Sequence, residues 1–246
     1  MRGQTPGLVL WPPLFYSAIN THMSFEGMLV TEIFHSIQGE TSLSGVPFVF
    51  IRLTGCNLRC TYCDSAYAFK NGTKMSLDDV IENVKKYEVK HVLLTGGEPL
   101  LQRNTGILLD RLISENYKVS IETHGEISIE NFYNRARIIM DIKTPSSKMN
   151  REGYKNNLKF LKKTDEIKFV IASKSDYEWA KNIVKNTPLP TDEILFSPAL
   201  NAYGMPGTFE GVNARWLAEK ILEDRLPVRF QIQLHKYIWG QDTRGV

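Results

Sequence analysis

The sequence predicts an α/β fold: mostly parallel strands with helices between them, in a single domain. Three observations carry this. Short apolar, β-branched runs alternate with helix-like segments along most of the chain. Several runs are continuously apolar rather than alternating, as in strands buried on both faces of a parallel sheet. Polar or backbone-permissive residues collect just after run after run, where the C-terminal strand ends of such folds build their sites.

In chain order, residues 1–27 come first. MRGQTPGLVLWPPLFYSAINTH holds one Arg and a short apolar stretch broken by Pro12 and Pro13. It lacks the unbroken apolar region and small-residue cleavage site of a signal peptide. Residues 1–27 read as a leader or tag, expected to be disordered, and residues 28–246 as the domain. Strands are predicted over residues 29–35, 48–53, 91–95, 119–122, 138–142, 167–171, 194–197 and 229–234. Ser76 reads as an N-cap, with Asp78 and Asp79 in an acidic first turn. The helix it starts runs over 80–87, and others are predicted over 106–116, 153–163, 175–185 and 212–224. The β-α order implies right-handed crossovers. No repeat, linker or composition break divides the chain.

The 246 residues are 42% hydrophobic and 23% charged, which supports a core and excludes a disordered chain. Thirty basic against 27 acidic residues leave +3. That bias is too weak to argue for nucleic acid. No apolar run reaches the ~18 residues of a membrane span.

The three cysteines, Cys56, Cys60 and Cys63, all lie within eight residues. An odd number in so short a window is no disulfide framework. Clustered reduced thiols point to the cytoplasm. In Cys-x3-Cys-x2-Cys, three thiolates on a short loop can ligate three irons of a cubane and leave the fourth open. Iron–sulfur clusters otherwise take four cysteines. Structural zinc needs four closed ligands, usually as two pairs, so His35, His91, His124 or His235 would have to join from far away in sequence. Iron–sulfur is favoured, with zinc as the alternative.

The cysteine loop, 55–64, follows one predicted strand. Gly96-Gly97-Glu98-Pro99 follows the next, then Thr123-His124-Gly125, Lys143-Thr144-Pro145, Ser197-Pro198 and His235-Lys236. One shared pocket is expected. With both motifs at matching strand ends, residues 53–198 resemble the radical S-adenosylmethionine (SAM) enzymes. The resemblance implies a [4Fe-4S] cluster on Cys56, Cys60 and Cys63, with SAM on the open iron yielding a 5′-deoxyadenosyl radical. It places SAM against Tyr62, Cys63, Asp64, Gly96, Gly97, Glu98, Glu122, Thr123 and His124, with Lys143 and Ser197 as further candidates. The bland readings are a core aromatic for Tyr62, a simple turn for Gly96 and Gly97, and a surface carboxylate for Glu98. Gly96 and Gly97 allow close backbone approach to a ligand.

The flanks narrow the resemblance. Ser36-Ile37-Gln38-Gly39-Glu40, Phe50-Ile51-Arg52-Leu53, Cys63-Asp64-Ser65 and Leu234-His235-Lys236-Tyr237 resemble the 7-carboxy-7-deazaguanine synthase family of the queuosine pathway, over 28–239. That implies an incomplete (β/α) barrel, a homodimer, and Mg2+ as a further cofactor. It implies conversion of 6-carboxy-5,6,7,8-tetrahydropterin to 7-carboxy-7-deazaguanine with loss of ammonia. SAM would be regenerated, and an external electron donor such as a flavodoxin would be needed. Substrate contacts are expected from Ile37, Gln38, Gly39, Glu40, Arg52, Thr95 and His235. Glu40 suits an amidine-like N–H pair, and Arg52 can grip a carboxylate with two bonds. Against these stand a solvated Glu40, a local ion pair for Arg52 and a structural His235. Ser65 stands where the family commonly has Thr, and its hydroxyl can still bind Mg2+.

Two other readings compete. A glycyl-radical-enzyme activase shares the cysteine spacing but would not need Gln38, Glu40 and Arg52. A zinc-stabilised RNA-binding module would need a basic stripe interleaved with aromatics, which is missing.

Overall fold

The structure, a computed structural model, describes residues 27–199, 211–240 and 243–246. The strands are β1 (Gly27–Ile37), β2 (Pro47–Leu53), β3 (Thr73–Ser76), β4 (His91–Gly96), β5 (Lys118–Thr123), β6 (Arg137–Asp141), β7 (Glu166–Ile171), β8 (Glu193–Pro198) and β9 (Arg229–Phe230). They form one sheet in the order β3-β1-β2-β4-β5-β6-β7-β8-β9. From β2 to β9 every pairing is parallel, whereas β1 runs antiparallel to both β2 and β3. Among the described residues β3 and β9 are the two edges, so the sheet does not close into a full barrel.

The helices are α1 (Leu77–Lys85), α2 (Thr105–Ser114), α3 (Tyr154–Asn157), α4 (Lys174–Asn186), α5 (Ala214–Glu223) and α6 (Leu234–Trp239). α1 starts where its cap predicts. Ser76 accepts from the Asp79 amide, and Asp79 reaches back to the Ser76 amide, closing a capping box. Leu77, Val80, Ile81 and Val84 form its buried stripe. That stripe joins the main core of strand and helix residues. A second cluster, Phe34, Phe48, Phe50, Leu93 and Ile139, stands apart from it, with the Phe34 and Phe50 rings stacked at 4.9 Å. Phe34, Phe50 and Leu93 help floor the cavity described below.

Several expectations change. The helix predicted over 153–163 is one α turn followed by a 3-10 turn, Leu158–Phe160. Asn157 is buried, accepts from the Ile129 amide and donates to the Gly125 and Ile127 carbonyls. Its side chain ties down the loop after β5 instead of lengthening a helix. The strand predicted over 229–234 stops at Phe230, and Leu234 opens α6 instead. The alternation in Arg-Phe-Gln-Ile-Gln-Leu resembles a strand, but Gln231 donates to the Gly39 carbonyl and turns the chain away. β3 is too short to read in sequence, and exists because β1 pairs with it from Gly27↔Ser76 to Val30↔Thr73. Gly27 therefore belongs to the sheet. The rest of the leader reading, residues 1–26, lies outside the described residues.

Candidate functional site

A cavity of about 320 Å³ opens at the C-terminal ends of the parallel strands. Of the residues expected there, only Glu98 and Ser197 do not line it. Ser197 is a buried residue of β8.

The cysteine loop lies along one wall. Its three thiols are half-buried and line the cavity, while Asn57, Arg59 and Thr61 are exposed. The loop is tied on both sides. The Gly55 amide donates to Ala68 O at 2.8 Å, Thr61 donates to Ser146 O and Ser147 O, and Tyr62 Oη pairs with Thr144 Oγ1 at 3.0 Å. Arg59 donates to Cys56 O and stacks 4.1 Å over Phe69. Burial pushes all three thiols up, and burial with Asp64 alongside takes Cys63 to about 11. They are thiols until a cationic centre binds and displaces their protons. Among the described residues, no three Cys, His, Asp or Glu side chains converge to hold one metal ion. Thiols spread along a wall, without a fourth ligand closing on them, fit a polynuclear cluster better than zinc. His35 packs on Tyr87 and His91 on Phe48, and neither lines the cavity.

Gly96 and Gly97 line the cavity, but their main constraint is internal. A Cβ on Gly97 would lie 2.2 Å from Gly55 O and 2.8 Å from Cys56 Cβ, and Gly96 holds φ +140° against Leu53. The pair seats the cysteine loop on β4.

Glu98 is fully buried beneath the wall. Its carboxylate accepts from Thr123 Oγ1 and from the His124 and Leu100 amides. Burial, the largest cause, raises its pKa to about 7 against those bonds. His124 Nδ1 accepts from the Glu126 amide, so the ring proton sits on Nε2 and is donated to Asn57 Oδ1 at 2.8 Å. Burial and Lys143 lower His124 to about 4, so the ring is neutral. His124, at the end of β5 and held in place by Glu98, thus braces the cysteine loop through Asn57.

The opposite wall is charged. Lys168 Nζ lies 2.7 Å from Glu40 Oε2 and 2.7 Å from Glu122 Oε1, and Lys143 lies 2.9 Å from Asp141 Oδ2. Burial would raise the Glu40 carboxyl, but Lys168, with His235 and Lys236, outweighs it and holds it down to about 2. Burial would likewise discharge Lys143, but Asp141 keeps its ammonium charged. Two buried side-chain atoms here have no partner, Gln38 Nε2 and Asp141 Oδ1. A buried orphan donor and a buried orphan acceptor in one cavity are places for a ligand's polar atoms.

Arg52 does two things. Its Nε pairs with Glu32 at 2.7 Å, and its guanidinium lines the cavity between Phe34 and Tyr67, 3.4 Å from Ser65 Oγ. Ser65 also donates to Asp64 Oδ1. Asp64 is held far below the usual carboxylate range: burial opposes this, but Lys236 at 2.6 Å dominates. α6 closes the top. Leu234 donates to Gly39 O, Gln233 Nε2 donates to Glu40 Oε1 at 2.8 Å, and His235 Nε2 lies 3.7 Å from that same oxygen.

Sequence reasoning missed Asp141, Lys168, Tyr67 and Gln233, all lining this cavity, while Lys236 lines it as expected. The signal for two of them was present: a lysine inside the apolar run of β7 and an aspartate ending β6.

The model of the radical SAM superfamily matches residues 50–186. The chain is 42% identical over 227 residues to a 7-carboxy-7-deazaguanine synthase of Koribacter versatilis, covering 89% of this chain and 100% of that protein. It is 42% identical over 229 residues to one of Chlorobaculum tepidum, covering 91% and 100%. Among solved structures, QueE from Escherichia coli superposes with a TM-score of 0.66 at 21% identity, covering 87% of this chain and 96% of that one. At that identity the likeness shows the fold.

Proposed function

This chain belongs to the radical SAM superfamily and, within it, to the 7-carboxy-7-deazaguanine synthase family, and from that premise we propose how its residues convert 6-carboxy-5,6,7,8-tetrahydropterin to 7-carboxy-7-deazaguanine with release of ammonia. A [4Fe-4S] cluster and SAM, held here, would supply radical chemistry that starts with removal of a hydrogen atom from the substrate. The chain does the rest. Cys56, Cys60 and Cys63 hold the cluster. Tyr62, Cys63, Asp64, Gly96, Gly97, Glu122, Thr123 and His124 face SAM, Lys143 brings a cation to its carboxylate, and Glu98 acts from behind the wall.

On the substrate side, Glu40 accepts from the amidine-like N–H pair of the pterin. Gln38 Nε2, otherwise unpaired, donates to its carbonyl edge, and Thr95 adds a hydroxyl. Ile37 and Gly39 contribute backbone, and the Phe50 face lies under the ring. Arg52 and His235 meet the substrate carboxylate. Ser65 Oγ would offer Mg2+ one hard oxygen ligand, of the kind this ion favours.

We read the enzyme as a cytoplasmic homodimer served by a flavodoxin-type electron donor. Three clustered free thiols support the compartment, and family resemblance with the commonness of C2 dimers supports the assembly. Among the described residues, no helix is long and apolar enough to cross a membrane.

The observation that carries the reading is one cavity joining the three thiols to Gln38, Glu40 and Arg52. The test is a product assay on anaerobically reconstituted enzyme with reductant, SAM, Mg2+ and the carboxytetrahydropterin, read by mass spectrometry. 7-Carboxy-7-deazaguanine at many turnovers per SAM is expected. Deoxyadenosine without that product would overturn the substrate assignment. Neither species from cluster-loaded protein would overturn the SAM reading.

A further inference from the structure

Lys168 stands in the middle of β7, within the apolar run that follows Glu166, and is 2% exposed. Its ammonium meets carboxylates from three separate elements: Glu40 after β1 and Glu122 on β5, each at 2.7 Å, and Asp141 on β6 at 3.5 Å. The other oxygen of each acid is employed differently. Glu40 Oε1 accepts from Gln233, Glu122 Oε2 accepts from Thr95 Oγ1 at 3.0 Å, and Asp141 Oδ1 has no partner. Lys143 adds a second cation, on Asp141. Glu40 further faces His235 and Lys236 of α6 and Asp64 of the cysteine loop.

An ammonium with two N–H groups bonded to carboxylates and a third acid 3.5 Å away stays charged. It is therefore a poor acid, and no lone pair remains for it to act as a base. Without it, three carboxylates would crowd a buried wall with only Lys143 on Asp141 and the α6 side chains near Glu40 to offset them, and like charges in a buried wall repel. The two acids it joins belong to different jobs. Glu40 reads the pterin, and Glu122 stands on the SAM wall.

We propose that Lys168 is a positioning residue that ties Glu40 to Glu122 and so sets the bound pterin in register with SAM. This rests on the function proposed above. Geometry between a reacting hydrogen and its acceptor is where small displacements cost most rate, so a linchpin between two binding walls controls coupling as well as affinity.

The test uses Lys168→Met and Lys168→Gln in cluster-loaded enzyme. Gln keeps two N–H donors and loses the charge, so it decides the question if Met fails to fold. Equilibrium binding of the carboxytetrahydropterin, without reductant, is expected to weaken about 10- to 100-fold. Ammonium, small enough to refill the one-atom space that Met leaves at Nζ, is expected to restore binding to Lys168→Met; tetramethylammonium is not. Under turnover, the variants are expected to release more deoxyadenosine per product. Wild-type affinity and coupling in a folded variant would overturn the inference, as would equal rescue by both cations. Wild-type enzyme that binds no pterin would instead overturn the function reading beneath it.

Discussion

Glu40 illustrates how a single residue here serves binding and stability together. Its carboxyl is held at about 2 because Lys168 and the α6 cations outweigh burial. A carboxyl depressed in the folded state contributes stability above its unfolded pKa, near 4.5, and loses it as pH falls toward the folded value. Glu40→Gln is therefore expected to lower stability by about 2 kcal/mol at pH 7. The gap to wild type should close between about pH 5 and pH 2, measured as urea midpoints across that range. A constant gap would mean that the carboxylate is not paired as described. Ser65 offers a second residue-scale test. Ser65→Ala should abolish stimulation by Mg2+, and Ser65→Thr should keep it, read as product formation against Mg2+ concentration. An unchanged Mg2+ response in Ser65→Ala would reject its role.

At the scale of elements, the helix that closes the cavity is seated by a glycine. A Cβ on Gly39 would lie 2.4 Å from His235 Nδ1 and 3.1 Å from the His235 backbone nitrogen. The ring can swing aside, but the backbone must shift, and α6 with it. Gly39→Ala should raise the pterin KM roughly 10-fold while SAM cleavage continues. An equal loss of both would place α6 in cofactor binding instead. α1 provides the contrast. Its capping box lies outside the cavity lining. Ser76→Ala should cost about 1 kcal/mol and a few degrees of Tm, with kcat/KM unchanged.

For the whole molecule, the open sheet leaves β3 and β9 as edges, and the parallel strands between them aim their C-terminal ends at one cavity. Assembly belongs to this scale. Sedimentation equilibrium of the reconstituted enzyme should give twice the 28.1 kDa chain mass. A concentration-independent monomer would reject the homodimer.

Much was legible in the sequence because its causes are local. Continuous apolar runs marked the parallel strands, since burial on both faces leaves no polar alternation. Ser76 and Asp79 marked a helix start within one turn. The cysteine spacing suggested a cluster loop because three thiols so close along the chain can reach one centre without help from the fold. Tertiary structure alone decided what depends on distant partners. Lys168 is 128 residues from Glu40 and 46 from Glu122, and Gln233 is 193 from Glu40. Sequence shows a lysine in an apolar strand; only the fold shows which acids surround it and hold it charged. The same holds for residues 231–234, whose alternation continued the β9 strand in sequence until Gln231 bonded Gly39 and led the chain into α6. It holds too for Glu98, which the motif marks as functional and the fold buries behind Thr123 and His124. Local chemistry is written in neighbours along the chain, whereas the electrostatics of a closed cavity are written by whichever residues the sheet brings face to face.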